Sequence, residues 1–235
     1  MKIRISIIAL TAVMALAFVP NSAQAYTLGV GFGAGGTFPL SDYIKAAPTQ
    51  SGGSTYSLSE VKNGPGWDLH AELLVIGMEI RYTWRVFPWK KLTAQDGTTV
   101  STKGLPWLQF HTLTLGYRWY LLNTSLKLYL PMGSGAVFVT YNDIDKLKGQ
   151  YGFTVYAGVG LEYEIFKTLT IGVGARYNFY LTNKPADIIK GKIEENLKEA
   201  VSDGDSSKVN TKMSVKDVVA TFHSITANLT LTLAF

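Results

Sequence analysis

Apolar and polar residues alternate with a period of two along much of the chain. Between Phe153 and Glu164, mostly apolar side chains occupy the odd positions, and mainly threonine, glycine and glutamate occupy the even ones. A similar alternation returns between Leu169 and Tyr180 and between Ser224 and Phe235. Because successive side chains of a β-strand point to opposite faces, this pattern predicts strands with one apolar and one polar face.

The chain contains eight such runs, separated by connections of two lengths. The runs are predicted near residues 26–35, 67–75, 78–86, 112–119, 126–140, 153–164, 169–180 and 224–235. Long connections are predicted at about 39–65, 87–106, 141–150 and 182–217, and short turns join the remaining runs. This alternation of long and short connections is typical of an outer-membrane barrel with short periplasmic turns and longer extracellular loops.

Two places in the pattern predict local irregularity, and a third predicts a hairpin. Leu108 and Phe110 have the parity opposite to the rest of the fourth run, which a β-bulge would reconcile. Pro131 lies inside the fifth run and predicts a bulge or local unpairing. Asp96-Gly97 is a hairpin signal, and we expect the third and fourth strands to continue there beyond the bilayer.

The first 25 residues have the parts of a cleaved signal peptide. Lys2 and Arg4 precede an apolar segment, and Ala23-Gln24-Ala25 is a cleavage site of the small-x-small type. We therefore divide the chain into a signal peptide at residues 1–25 and one outer-membrane barrel domain at residues 26–235. The sequence contains no cysteine, which excludes disulfides, thiolate metal sites, cysteine nucleophiles and a lipoprotein anchor.

Composition leaves two fold classes open for an exported chain. Hydrophobic residues make up 47% of the sequence, yet no run of 18 apolar residues follows the signal peptide. A soluble β-rich domain and a transmembrane β-barrel both fit this composition. The alternation of connection lengths favours the barrel, so the predicted fold class is all-β: an eight-stranded, up-and-down antiparallel transmembrane β-barrel with long extracellular loops.

Several segments carry a resemblance to a known family. Residues 151–164 and 169–177 resemble the penultimate hairpin of small outer-membrane barrels of the OmpX and OmpA-transmembrane type. Residues 129–138 are similar to the Tyr…Gly-x-Gly strand of those barrels. The end of the chain is similar to the signal that the barrel-assembly machinery reads, with the residues Leu231, Leu233 and Phe235. The resemblance implies an outer-membrane barrel that this machinery assembles.

Aromatic residues lie near the ends of the predicted strands, where an outer-membrane barrel carries its interfacial girdles. Those expected toward the long loops are Trp67, Trp84 and Trp107, and those expected toward the short turns are Trp119, Tyr163 and Phe235. Ligand binding by these rings is the alternative, and we favour anchoring at the membrane interface.

Charged residues on the polar faces predict a network inside the barrel. Its members are His70, Glu72, Glu79, Arg81, Arg118, Lys127, Glu162, Glu164 and Arg176. The interior of an eight-stranded barrel is only about wide enough for side chains, and unpaired buried charge is costly. A salt-bridged polar plug is therefore our prediction, and a narrow gated pore is the alternative.

The sequence gives little support to catalytic or cofactor-binding functions. An outer-membrane lipid deacylase needs a His and a Ser two positions apart on one strand face, and neither His70, His111 nor His223 has such a Ser. Only proximity suggests a metal site at His70, Glu72 and Glu79, so we predict no catalytic, metal or cofactor site. The net charge of +5 includes the signal peptide and is not a concentrated basic face for nucleic acid.

The last long connection contains apolar residues at a spacing of four, namely Ile189, Ile193, Leu197 and Val201. This spacing predicts an amphipathic helix of about four turns. We expect it to cover the barrel mouth, and contact with lipopolysaccharide or a partner is the alternative.

The predicted function is non-catalytic. We expect a monomeric barrel in the outer membrane of a Gram-negative cell, held by membrane lipid and lipopolysaccharide, whose surface loops provide interaction or adhesion. The sequence identifies no surface ligand. A narrow passive pore for small solutes is the first alternative function, and a lipid-modifying enzyme is the second.

Overall fold

The computed structural model describes residues 28–41, 58–94, 99–100, 102, 107–141, 150–182 and 220–235. The strands of its closed barrel are β1 (Leu28–Pro39), β3 (Gly66–Val75), β4 (Met78–Phe87), β7 (Leu108–Asn123), β8 (Leu126–Tyr141), β9 (Gln150–Phe166), β10 (Leu169–Thr182) and β11 (Ala220–Ala234). A separate three-stranded sheet consists of β2 (Leu58–Asn63), β5 (Trp89–Ala94) and β6 (Thr99–Val100). The predicted signal peptide and the predicted helix of the last connection lie outside the described residues.

The barrel strands follow one another around the wall in chain order, and neighbours are antiparallel. β1 closes the ring by pairing with β11 on one side and with β3 on the other. The predicted all-β, eight-stranded, up-and-down barrel is thereby confirmed. Short turns join β3 to β4, β7 to β8 and β9 to β10 at one end of the barrel, and the longer connections leave from the opposite end.

A two-residue turn at Ile76 and Gly77 joins β3 to β4. Both residues have positive φ, at 49° and 79°. Positive φ at both central positions is typical of a type I′ turn, whose twist matches the twist of the paired strands. The Arg118 N–H donates a 2.8 Å hydrogen bond to the Gly77 carbonyl, which ties the turn to β7.

β7 is regular where the sequence predicts a bulge. It pairs with β4 in one register throughout, and its irregularity lies near the other end, between Tyr120 and Leu122. Leu108 and Phe110 are fully buried and share the inner face with Thr112. The predicted bulge was wrong because these two apolar side chains fill the lumen instead of facing the lipid.

Pro131 produces the local unpairing that was one of the two predicted outcomes. Pairing between β8 and β9 stops after Tyr129 and resumes at Met132 in the same register. On the opposite edge of β8, Pro131 remains directly across from Arg118. Since proline has no N–H, the missing ladder contact is the expected consequence.

The small sheet corrects the prediction for the first long connection. That connection was predicted as a loop, but it contains β2, whereas the second contains β5 and β6. β5 and β6 pair around the Asp96-Gly97 hairpin signal, which itself falls outside the described residues. β5 also pairs with β2, with Val61 opposite Leu92. The third strand therefore continues into β5, which pairs with β6 as the hairpin signal predicts, and the structure adds β2, which precedes the second strand and pairs with β5.

Side chains of the barrel strands alternate between an exposed outer face and a buried inner face. On β10, Ile171, Val173 and Tyr177 are exposed, whereas Thr170 and Arg176 are buried. An apolar outer face and a polar interior are what a membrane imposes on such a barrel. Among the described residues, no helix is long and apolar enough to span a membrane.

Candidate functional site

Two layers with different chemistry fill much of the barrel interior. The ionic layer lies nearer the short turns and consists of Glu72, Glu79, Arg81, Arg118, Glu162 and Arg176. The aromatic layer lies nearer the long connections and consists of Phe87, Phe110, Tyr180 and Phe222. None of these residues is more than 3% exposed. The strand alternation places all of them on the inner face, since every second residue of each strand points inward.

Arg118 joins three carboxylates of the ionic layer. Its Nε lies 2.7 Å from Glu79 Oε2, and its Nη2 lies 2.5 Å from Glu72 Oε1. Its Nη1 forms an ion pair with Glu162 Oε1. The guanidinium also lies over the ring of Tyr129, 4.7 Å from the ring centroid. One cation on β7 thereby connects carboxylates of β3, β4 and β9.

Glu79 is the matching anion at the centre of the layer and is 0% exposed. Arg176 donates two hydrogen bonds to its oxygens, at 2.6 and 2.8 Å. The Tyr156 hydroxyl donates a third at 3.0 Å. Because β4 and β10 stand on opposite sides of the ring of strands, the pair of Glu79 and Arg176 spans the lumen. Such bidentate, charge-assisted contacts are among the strong hydrogen bonds of proteins.

The other charged residues of the predicted network lie around this centre. Arg81 Nη1 lies 3.1 Å from Glu72 Oε2, across the β3–β4 hairpin. Lys127 and Glu164 form a 3.4 Å ion pair nearer the short turns, where the Glu164 side chain is 31% exposed. The structure therefore brings the four predicted basic residues into ion pairs with the four predicted acidic ones.

His70 lies on the inner face of β3, away from the centre of the ionic layer. Its Nδ1 is 3.4 Å from Asp68 Oδ1, and its Nε2 is 3.0 Å from Thr230 Oγ1. The ring thus belongs to a buried hydrogen-bonded chain. Among the described residues, no group of three or more His, Cys, Asp or Glu side chains is placed to hold a metal ion.

Two glycines make room for the rings of the ionic layer. A Cβ at Gly160 would overlap the ring and hydroxyl of Tyr129, and a Cβ at Gly116 would overlap the hydroxyl of Tyr156. The close packing of Tyr129 against the neighbouring strand β9, and of Tyr156 against β7, therefore requires glycine. Each ring lies against one guanidinium: Arg118 is over Tyr129, and Arg176 is over the Tyr156 ring at 4.8 Å.

The aromatic layer closes the lumen toward the long connections. Phe87 meets Phe222 edge to face with ring centroids 5.0 Å apart, and it meets Phe110 at 5.5 Å. Phe110 and Phe222 stack at 5.2 Å, and Tyr180 packs against both. These separations are those of favourable ring pairs. Sequence analysis missed this layer, although the inward parity of Phe87 and Phe222 was a usable signal.

Arg85 and Asp68 are further lumen residues that sequence analysis missed. Both are at most 3% exposed. Arg85 Nη1 donates a 2.7 Å hydrogen bond to the Tyr180 hydroxyl, so it links the aromatic layer to the polar interior. Arg85 lies two residues beyond Thr83 and Asp68 two residues before His70, so the same parity argument could have found them.

The predicted girdle residues lie on the outer face at both ends of the barrel. Trp67, Trp84 and Trp107 stand near the long connections, and Trp119, Tyr163 and Phe235 stand near the short turns. Trp67 and Trp84 pack edge to face at 4.9 Å, and Trp84 Nε1 donates a 3.0 Å hydrogen bond to Gln109. In the predicted assembly signal, the exposed outward residues are Leu231, Leu233 and Phe235.

His111 and His223 belong to the outer face as well. Tyr82 OH lies 2.8 Å from His111 Nδ1, and Thr140 Oγ1 lies 3.1 Å from its Nε2. His223 Nδ1 pairs with the hydroxyl of Tyr177. Each imidazole is thus held within the aromatic surroundings of the outer wall.

Comparison with known proteins identifies a family. The profile of the family described as "Outer membrane protein beta-barrel domain" matches residues 9–213. No curated protein matches the sequence. Among solved structures, the chain is similar to Neisserial surface protein A (NspA), with a TM-score of 0.45, 11% identity and coverage of 91% of this chain and 100% of that chain. It is also similar to Ail, the attachment invasion locus protein of Yersinia pestis, with a TM-score of 0.37, 10% identity and coverage of 90% and 100%. Because the family profile covers most of the chain and the strands close into an eight-stranded barrel, the chain belongs to the outer membrane protein beta-barrel domain family.

Proposed function

We propose that this protein is a non-catalytic anchor in the outer membrane of a Gram-negative cell and that its loop end takes part in interaction or adhesion. The observation that carries the proposal is the filled lumen. The pair of Glu79 and Arg176 crosses it from wall to wall, and the aromatic layer lies above that pair. A barrel filled in this way supports an anchor rather than a passage.

Opening the lumen would require paired groups to separate. Removing one partner of a buried ion pair costs about 3–5 kcal/mol, and Glu79 has several partners at once. The aromatic layer would also have to move, because its four rings contact one another across the lumen. These costs support a barrel that stays closed in the membrane.

The small sheet supports the second half of the proposal. β2 and β5 extend beyond β3 and β4 and pair with each other, so the described parts of the first two long connections include paired strands outside the barrel. Trp89, in β5, is 7% exposed, which gives this sheet a buried anchor point. An ordered surface element binds a partner with less loss of conformational entropy than a free loop.

Planar-bilayer conductance tests the closed anchor against the narrow pore. The refolded full chain should give no conductance steps, while a general porin reconstituted in the same way provides the positive control. Reproducible single-channel steps from the unmutated protein would contradict the proposal and support the pore. The Glu79→Ala/Arg176→Ala double variant shows whether the ionic layer contributes to the seal.

Surface labelling of intact cells tests the orientation. An epitope inserted between Gln95 and Asp96 should be accessible to antibody, because it follows β5, while an epitope after Asn123 should be hidden in the periplasm. Labelling of the second site alone would invert the barrel and remove the basis for a surface function. Sequencing of the mature protein should begin at Tyr26 if the signal peptide is cleaved as proposed.

A further inference from the structure

A small chamber lies inside the barrel between the ionic layer and the aromatic layer. The residues lining it are Arg81, Thr83, Arg85, Thr112, Thr114, Thr154, Tyr156, Arg176 and Asn178. Three of these carry a positive charge, and none of the described residues in the lining is a carboxylate. The free space suits about one particle of the size of a water molecule. The chamber is therefore small, polar and cationic.

Not all hydrogen-bond donors of the chamber wall are used. Arg81 donates through Nη1 to Glu72, while its buried Nε and Nη2 have no hydrogen-bond partner among the described residues. Arg85 donates through Nη1 to Tyr180, and its buried Nε has no partner in the same part of the chain. A buried donor of a charged group that lacks an acceptor is unfavourable, so the wall favours an acceptor in the chamber.

The threonines of the lining fall into two kinds. Thr114 and Thr154 already donate their hydroxyl hydrogens to backbone carbonyls, at 3.2 and 3.0 Å. Thr83 and Thr112 face each other across the β4–β7 pair and have no such carbonyl acceptor among the described hydrogen bonds. Together with Arg81 and Arg85, which flank Thr83 at alternate positions on β4, they form a compact row of donors.

The carboxylates of the lumen are engaged elsewhere. Both oxygens of Glu79 accept from Arg118 and Arg176, and Glu72 contacts Arg118 and Arg81. Asp68 contacts His70 through Oδ1 and lies directly across from Arg85 in the β3–β4 register. On the chamber side, Arg85 Nη1 donates to the Tyr180 hydroxyl, and its guanidinium carbon lies 5.9 Å from the centroid of the Tyr180 ring. An anion in the chamber would place negative charge next to this cation.

We propose that Arg81, Thr83, Arg85 and Thr112 bind one small inorganic anion of the halide class within the barrel. The size of the chamber excludes larger oxyanions and organic anions. The bound halide completes the hydrogen bonding of both guanidiniums and joins β4 to β7 from the inside. It binds the folded barrel only, because the donors are brought together by strand pairing.

Equilibrium unfolding of the full chain tests the site. Urea unfolding of the refolded barrel in lipid vesicles is measured while sodium bromide replaces sodium gluconate at constant ionic strength, since gluconate is too large to enter. Binding to the folded state alone raises the unfolding midpoint with bromide concentration. Effects of bromide on exposed surface are common to all variants. The quantity compared between variants is therefore the slope of the unfolding midpoint against bromide concentration, called the bromide slope below.

The decisive variants each remove a donor from the chamber wall, and Thr112→Val does so with almost no change of shape. Thr112→Val should weaken bromide binding about tenfold, and Arg85→Gln by more, because each removes a donor to a charged ligand. Thr232→Val is the matched control, since Thr232 is also a buried inward threonine but lies outside the chamber lining. It should keep the bromide slope of the unmutated protein.

Two results would overturn the proposal. One is a bromide slope of the unmutated protein that is no larger than the bromide slope of Thr112→Val. The other is a crystal grown in bromide whose anomalous map has no peak between Arg81 and Arg85, which would assign the chamber to water. If Arg85→Gln does not refold, Thr112→Val and the anomalous map decide between halide and water.

Discussion

The ionic layer and the aromatic layer fill the same tube in two different ways. In the ionic layer, Arg118 and Glu79 each contact several partners, and the geometry is fixed by charge and hydrogen bonds. In the aromatic layer, four rings pack by shape, and only Tyr180 adds a hydrogen bond to a charged group. The diameter of the barrel is the same for both, since the same eight strands enclose them.

The two layers should differ in how well they tolerate substitution. A charged layer tolerates little loss, because each missing partner leaves a buried charge. An aromatic layer tolerates changes of side chain that roughly keep its volume, because ring packing is less directional. The first layer joins strands on opposite sides of the barrel, and the second fills the lumen at the end that faces the long connections with contacting rings.

Glu79→Ala should reduce the stability of the barrel more than any other substitution described below. It leaves Arg176 and Arg118 without a shared carboxylate, so the free energy of unfolding should fall by about 3–5 kcal/mol. Urea unfolding in lipid vesicles measures the loss. Glu79→Gln is the shape-matched control and should recover less than half of it, and full recovery would show that shape rather than charge governs this layer.

Tyr156→Phe separates charge from shape within the ionic layer. It keeps the ring beneath Arg176 but removes the hydroxyl that donates to Glu79 at 3.0 Å. We expect a loss of about 2 kcal/mol, the usual range for a hydrogen bond to a charged group. The same unfolding assay reads the result, and an unchanged free energy would mean that Arg176 and Arg118 alone satisfy Glu79.

Phe110→Leu tests the tolerance of the aromatic layer. The substitution keeps an apolar side chain but removes part of the ring, so the free energy of unfolding should fall by about 1 kcal/mol. Phe110→Gln is the polar control and should cost distinctly more, because the layer offers few hydrogen-bond partners. Equal losses for Leu and Gln would contradict the assignment of this layer to apolar packing.

Glu164→Gln should have the smallest effect. Its ion pair with Lys127 has a separation of 3.4 Å, and the carboxylate side chain is 31% exposed. Partly solvated pairs contribute little, so a change of about 0.5 kcal/mol is expected. A loss of stability as large as that of Glu79→Ala would show that Glu164 and Lys127 belong to the ionic layer.

Much of this architecture could be predicted because period-two alternation is a local property. Strand positions, the two faces, the short turns and the inward charges follow from residues close together in sequence. The pairing of Glu72 with Arg81 is nearly local too, because a two-residue turn sets the register of its hairpin. The bulge predicted at Leu108 and Phe110 failed because apolar residues were assumed to face lipid, although an inner layer can also be apolar.

Long-range pairing decided the rest. The contact of Glu79 with Arg176 joins strands on opposite sides of the barrel, and it depends on the registers of all the strands between them. The chamber beside Arg85 lies where the ionic layer and the aromatic layer meet.

The sequence by itself determined that this protein is a barrel with a charged interior, since alternation and turn spacing are encoded residue by residue. The tertiary structure alone decided which charges meet, where the rings stack and which donors remain unused. The physical reason is closure: once β1 pairs with both β3 and β11, every inward side chain has a fixed height and direction. Contacts across the lumen therefore depend on the closed barrel as a whole and not on any local segment of the sequence.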